Sequence, residues 1–135
     1  MLSKTNRGRR DPTLGQSGED YLEAVLVLGQ EKRAVRVKDV AGHLGVSRPS
    51  VVAALAQLER LGLVRHERYG DVELTLKGRV RAEAVYRRHR LVRAFLVQVL
   101  GVSKATADRD ACLIEHSLSP ETVSRLVAFV HRSRK

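Results

Sequence analysis

Asp20 and Glu23 stand three residues apart, and Cys112, Glu115 and His116 stand at i, i+3 and i+4, with His89 between the two groups. On an α-helix each group projects from one face. Carboxylate oxygens, imidazole nitrogens and a thiolate brought together make the donor set of a divalent transition metal. Singly, these residues have plainer roles. Cys112 suits a small buried hydrophobe, His89 sits in the basic run Arg87-Arg88-His89-Arg90, and Asp20 and Glu23 suit a helix N-terminus. Only the pairing of the two groups makes a shared cation site a match for those roles.

Helices must carry these residues, and the sequence supplies their signals. Ser17 is a good N-cap, and Glu19 and Asp20 suit the first turn of a helix to about Gly29 whose buried face is Leu22, Val25 and Leu26. Val37, Val40, Ala41 and Leu44 mark a short helix, which Gly45 ends. Ser47 caps the next, with Pro49 in its first turn and Val51, Ala54, Leu55 and Leu58 on its buried face. Two short amphipathic helices across a glycine-containing turn describe a helix-turn-helix. Partial alternation over 63–68 and 72–75, around Tyr69-Gly70-Asp71, predicts a β-hairpin wing. Residues 76–100 read as one long helix stopped by Gly101. Ser103 opens another through His116, and Ser119-Pro120-Glu121 starts the last. The fold class expected is mainly α: an N-terminal winged helix-turn-helix with a small hairpin wing, then a helical dimerisation domain. The divisions expected are a basic arm over 1–16, a DNA-binding domain over 17–76 and a metal-binding and dimerisation domain over 77–135.

Composition limits the function classes. The 135 residues suit one compact domain or two small modules, and 43% hydrophobic content without tryptophan requires a core of Leu, Val and Ala. A net charge of +10 points to polyanions. One cysteine excludes an internal disulfide framework and fits a reducing, cytoplasmic setting. No stretch approaches the roughly 20 apolar residues of a membrane span, and the arm carrying Lys4, Arg7, Arg9 and Arg10 lacks the apolar core of a secretory signal.

In a helix-turn-helix the second helix enters the major groove by its N-terminal residues, here Ser47, Arg48, Pro49 and Ser50. Arg68 and Tyr69 on the wing suit backbone or minor groove. The expected partner is double-stranded DNA. A lone module binds weakly, and Val92, Phe95, Leu96 and Val99 on the long helix, with Leu126, Val127 and Val130 on the last, exceed what a three-helix head needs. That surplus is read as a homodimer interface; an intramolecular core is the competing use.

Longer stretches carry a family likeness. Glu19-Asp20-Tyr21-Leu22-Glu23, Arg36-Val37-Lys38-Asp39-Val40-Ala41, Leu44-Gly45-Val46-Ser47-Arg48-Pro49-Ser50-Val51, Leu74-Thr75-Leu76-Lys77-Gly78, Arg88-His89-Arg90-Leu91 and 111–119 resemble, in order, the diphtheria toxin repressor/manganese transport regulator family. The match resembles its short, two-domain members. The resemblance implies metal ligands at Asp20, Glu23, His89, Cys112, Glu115 and His116. Glu23, His89 and Glu115 would group around one ion, and Asp20, Cys112, Glu115 and His116 around another. Three positions depart from one or other of the family's patterns. Manganese-type members have a glutamate at Cys112; iron-type members have that cysteine, but a methionine at Asp20 and a glutamate at Arg93.

The expectation is a metal-dependent repressor of metal-uptake genes, holding one or two divalent ions per subunit and no organic cofactor, and binding a palindromic operator. Mn²⁺ is the first choice because Asp20 and Glu23 are hard donors, with Fe²⁺ next because of the thiolate. A winged-helix regulator answering a non-metal ligand is the alternative. A metal-dependent hydrolase is the remote one, lacking H-E-x-x-H or a comparable catalytic motif, and no enzyme is expected.

Overall fold

A computed structural model describes residues 15–67 and 70–133. Their contacts divide the chain into an N-terminal unit, Gly15–Ala84, and a C-terminal unit beginning at Val85.

The N-terminal unit holds helices α1 (Gln16–Glu31), α2 (Val37–Leu44) and α3 (Arg48–Arg60), strands β1 (Val64–His66) and β2 (Val72–Leu74), and the start of α4 (Leu76–Ala94). Leu22, Val40, Val51, Leu55, Leu58, Leu63 and Val64 are almost wholly buried, at the 3.6-residue spacing that gives each helix one apolar stripe. Asp39 accepts a hydrogen bond from the Arg36 N–H at 2.9 Å and starts α2. Gly45 ends it in the left-handed region, φ 69°, where a side chain would be strained. Ser47 Oγ then accepts from the Ser50 N–H at 3.2 Å, and Pro49 occupies the first turn of α3.

β1 and β2 pair antiparallel, Val64 opposite Leu74 and His66 opposite Val72, so the buried Val64 and Val72 face inward. Val35 adds a bridge on the other side of β2, its carbonyl accepting from the Val72 N–H at 2.8 Å. The hairpin is shorter than the sequence suggests, and its expected contact residues Arg68 and Tyr69, like the arm 1–14, lie outside the described residues. The start of α1 also differs. The Gly15 carbonyl already accepts from the Glu19 N–H at 3.1 Å, so the first turn closes upstream of Ser17, which lies inside the helix rather than at its cap. At its other end α1 runs through Gly29 to Glu31, because Gly29 has no positive φ and breaks nothing.

Thr75 joins hairpin to helix. Its hydroxyl donates to the Gly62 carbonyl at 2.7 Å and accepts from the Gly78 N–H at 3.0 Å, and its own N–H donates to the Leu63 carbonyl at 3.0 Å. Gly78 comes so close to that carbonyl that a Cβ added there would stand 1.8 Å from the Leu63 oxygen.

The C-terminal unit comprises the rest of α4, a π-helical turn at Phe95–Val99, α5 (Lys104–Ile114) and α6 (Pro120–Ser133). The expected single helix over 76–100 therefore changes character near its end. The Leu100 N–H reaches back five residues to the Phe95 carbonyl at 3.2 Å, and Gly101, φ 73°, turns the chain away. Ser103 Oγ caps α5 by accepting from the Thr106 N–H at 3.3 Å, and Ser119 Oγ accepts from the Thr122 N–H at 3.2 Å before α6.

Val92 and Leu96 form a small core with Ala107 and Ala111, flanked by Phe95, Val97, Val102, Leu118 and Leu126. Phe95 meets Phe129 edge-on at 6.0 Å between ring centroids. Val92 and Leu96, expected at a dimer interface, pack into this core because the small side chains of α5 admit close approach, and Val130 is buried as well. Leu100, Leu113, Ile114, Val127 and Phe129 remain exposed.

Candidate metal centre and DNA-reading face

The C-terminal unit gathers four of the six candidate ligands. His89 comes from α4, Cys112 from the last turn of α5, and Glu115 and His116 from the turn that follows. The sequence places Glu115 and His116 on a helix, but α5 ends at Ile114. The Glu115 N–H closes the last α-turn on the Ala111 carbonyl at 2.9 Å, and the Ser117 N–H then tightens onto Ile114 at 2.9 Å. One helical turn earlier on α5 is Asp108, four residues before Cys112 and on the same face.

Glu115 is the centre of this cluster. Its side chain is wholly buried, 0% exposed, and His116 is 1% exposed. His89 Nδ1 lies 2.8 Å from Glu115 Oε1, and His116 Nε2 lies 3.3 Å from Oε2. Cys112 Sγ lies 3.8 Å from His89 Nδ1. The Arg88 guanidinium donates to the Glu115 backbone carbonyl at 3.0 Å, fixing the turn. Yet Glu115 Oε2 makes no hydrogen bond among the described residues.

A buried carboxylate oxygen without a hydrogen bond costs on the order of 1–3 kcal/mol or more, because its water has been removed and only the ion-pair approach of His116 Nε2 stands in its place. A cation is the group that would repay that cost. The surrounding donors are oxygen, imidazole nitrogen and sulfur, the set that transition metals accept and that Mg²⁺ or Ca²⁺ disfavours. These residues fit a divalent transition metal.

Asp20 and Glu23 belong to the N-terminal unit. They sit one turn apart on α1, both half-buried, on one helix face as their spacing requires. Arg88 falls in the family stretch Arg88-His89-Arg90-Leu91 and Arg93 at a position where iron-type members carry glutamate, but neither they nor Asp108 carry a ligand signal; spacing puts Asp108 four before Cys112 and Arg93 four after His89.

At the other functional face, Ser47, Arg48, Pro49 and Ser50 are all exposed at the N-terminus of α3. The Ser47 and Ser50 hydroxyls lie 2.9 Å apart. Arg48 is the cationic residue of this group. Val51, Leu55 and Leu58 anchor the opposite side of α3 in the core, which leaves its first turn presented outward as groove reading demands.

Two family models match in chain order: the iron-dependent repressor N-terminal DNA-binding domain over residues 13–72, and the iron-dependent repressor metal-binding and dimerisation domain over 75–135. The transcriptional regulator MntR of Salmonella typhimurium is 39% identical over 114 residues, covering 84% of this chain and 72% of the relative. The chain belongs to the diphtheria toxin repressor/manganese transport regulator family. A second family relative, an HTH-type transcriptional regulator of Methanocaldococcus jannaschii, is 37% identical over 121 residues, covering 88% of this chain and 96% of the relative. Among solved structures, a manganese-dependent transcriptional repressor in complex with manganese superposes with a TM-score of 0.78 at 34% identity. The match covers 84% of this chain and 52% of that one, so the chain spans about half the length of that structure. The family is one of metal-dependent transcriptional repressors, not enzymes, and both of its domain models are matched here. Among the described residues, no helix is long and apolar enough to cross a membrane.

Proposed function

We propose that this chain is a homodimeric repressor whose affinity for a palindromic operator is raised by a divalent cation, Mn²⁺ first and Fe²⁺ second. The observation that carries this reading is the wholly buried Glu115, with two imidazoles on its oxygens and one oxygen lacking a hydrogen bond among the described residues. The residues that would hold the cation are Asp20, Glu23, His89, Cys112, Glu115 and His116. When bound, it supplies positive charge that offsets their carboxylates and thiolate.

The chain's own residues divide the work. Asp20 and Glu23 offer hard oxygen donors from α1 of the DNA-binding unit, and His89, Cys112, Glu115 and His116 offer theirs from the other unit. In a homodimer the ion-bound state presents two α3 helices at the half-site spacing that an operator sets. Exposed Leu100, Leu113, Ile114, Val127 and Phe129 supply apolar surface for the dimer. Donor chemistry supports Mn²⁺ through Asp20 and Glu23, while the Cys112 thiolate favours Fe²⁺. The genes under control are those of metal uptake.

The test is operator binding with chelator, then with added Mn²⁺ or Fe²⁺ under reducing conditions. Affinity is expected to rise by roughly 5–150-fold with the ion, the usual size of coupling between two sites. Affinity unmoved by either treatment ends the metal-switch reading and leaves the non-metal ligand in its place. The reading helix has its own test. Arg48→Ala is expected to cost about 1–3 kcal/mol of operator affinity, measured by fluorescence anisotropy across a salt series. Unchanged affinity and salt slope would remove Arg48 from the interface.

A further inference from the structure

We propose that Asp108, anchored by Arg93, is a positioning residue that presents His89 to the cation through Nδ1. This rests on the metal reading above and adds a role outside its ligand set. The Arg93 Nε–H donates to Asp108 Oδ1 at 2.6 Å. The same oxygen lies 3.5 Å from His89 Nε2. On its other edge the His89 ring turns Nδ1 toward Glu115 Oε1, 2.8 Å away, and toward Cys112 Sγ, 3.8 Å away. The four groups form a line: guanidinium, carboxylate, imidazole, buried carboxylate.

The line follows from helix geometry. His89 and Arg93 are one turn apart on α4, and Asp108 and Cys112 one turn apart on α5, so each pair shares a face. All four residues belong to the C-terminal unit.

Chemistry gives the line a direction. A ligating imidazole needs a lone pair on the nitrogen that faces the ion, and its proton must then sit on the other nitrogen. Here the outer nitrogen, Nε2, faces the Asp108 carboxylate at ion-pair distance, 3.5 Å, which favours a proton on that nitrogen. Asp108 therefore favours the tautomer with its lone pair on Nδ1 and restrains rotation of the ring. Arg93 holds Asp108 in place. It also sets a fixed positive charge on the carboxylate that faces the outer nitrogen, which makes that carboxylate a poorer ligand for a second cation. Carboxylate partners of this kind typically change metal affinity by about 10–100-fold when removed. A half-exposed ion pair contributes little to folding, so the role is separable from stability.

The experiment uses the whole chain and Mn²⁺ alone. Mn²⁺ affinity is read from the electron paramagnetic resonance of the free ion, and the His89 tautomer from ¹⁵N shifts of the Zn²⁺-loaded protein. Asp108→Ala is expected to weaken Mn²⁺ binding by roughly 10–100-fold and to mix the His89 tautomers, with melting temperature retained. Asp108→Asn, which keeps an accepting oxygen, should recover part of the affinity, and Arg93→Ala should lose less than Asp108→Ala. Wild-type affinity and a single unchanged tautomer in Asp108→Ala would overturn the positioning role alone. A wild-type chain that binds no Mn²⁺ would overturn the cation reading itself, and this role with it.

Discussion

Glu115→Gln is expected to weaken Mn²⁺ binding by more than about 100-fold, beyond the usual loss of an outer-shell partner, and to hold operator affinity at its ion-free level. The ion-free protein should melt within a few degrees of wild type, or above it. The reasoning turns on what the buried carboxylate does when no ion is bound. If it were a structural ion-pair partner of His89 and His116, removing its charge would strand buried positive charge and cost about 3–5 kcal/mol. As a ligand with an oxygen that makes no hydrogen bond among the described residues, it is a burden on the ion-free fold. Glutamine keeps the volume and can still meet His89 and His116 with one amide atom each, while removing the charge. Equilibrium dialysis against Mn²⁺ and a thermal melt measure the two sides together. A loss of melting temperature equivalent to about 3 kcal/mol or more would make Glu115 a structural residue and remove the observation on which the proposed function stands.

Gly78→Ala is expected to produce the largest loss of stability among single-carbon changes at the glycines. The added Cβ would stand 1.8 Å from the Leu63 carbonyl oxygen, which is backbone and cannot swing aside. That carbonyl is already fixed by the Thr75 N–H at 3.0 Å, and Thr75 in turn caps the helix on the Gly78 N–H. Relief would require α4 to lift from the hairpin and break this set of bonds. Overpacking against movable side chains typically costs about 1–3 kcal/mol; against backbone, the top of that range or more is expected. The melting temperature should fall by on the order of 10 °C. Gly15, Gly29 and Gly42 form the contrast, since a Cβ at each meets nothing within 4 Å and none has a positive φ. A melting temperature for Gly78→Ala within about 2 °C of wild type would show that the close approach is not maintained in solution.

The sequence reads this fold well where a local rule decides the outcome. Gly45, Ser47, Ser103 and Ser119 act where turn and cap chemistry places them, because each satisfies a helix end with a bond to a residue three or four away, and Pro49 occupies a first-turn position that needs no N–H. It reads less well where a distant partner decides. The Val35 bridge and the Gly78 contact depend on residues dozens of positions or a full hairpin away, which periodicity does not register. Ser17 misleads because Gly15 offers its carbonyl one turn earlier. The apolar stripe of the long helix does not say whether Val92 and Leu96 face a second subunit or α5; the small Ala107 and Ala111 decide for α5.

For the site, the C-terminal cluster is legible from residue type and spacing, although α5 ends at Ile114 and a tightened turn, rather than a helix, delivers Glu115 and His116. The roles of Asp108 and Arg93 are not legible, since acidic and basic residues on exposed helix faces are common and only their distances in the folded chain set these two apart. The Mn²⁺ and Fe²⁺ choices turn on Asp20 and Cys112, one residue from each unit, and rest on donor hardness rather than on spacing.

The π-helical turn at Phe95–Val99 also sets where the long helix changes register. A hydrogen bond from Leu100 back to Phe95 encloses one more residue than an α-turn does. Side chains beyond Phe95 therefore leave the faces that α4 carries up to Ala94, while His89, Val92 and Arg93 keep α-helical spacing.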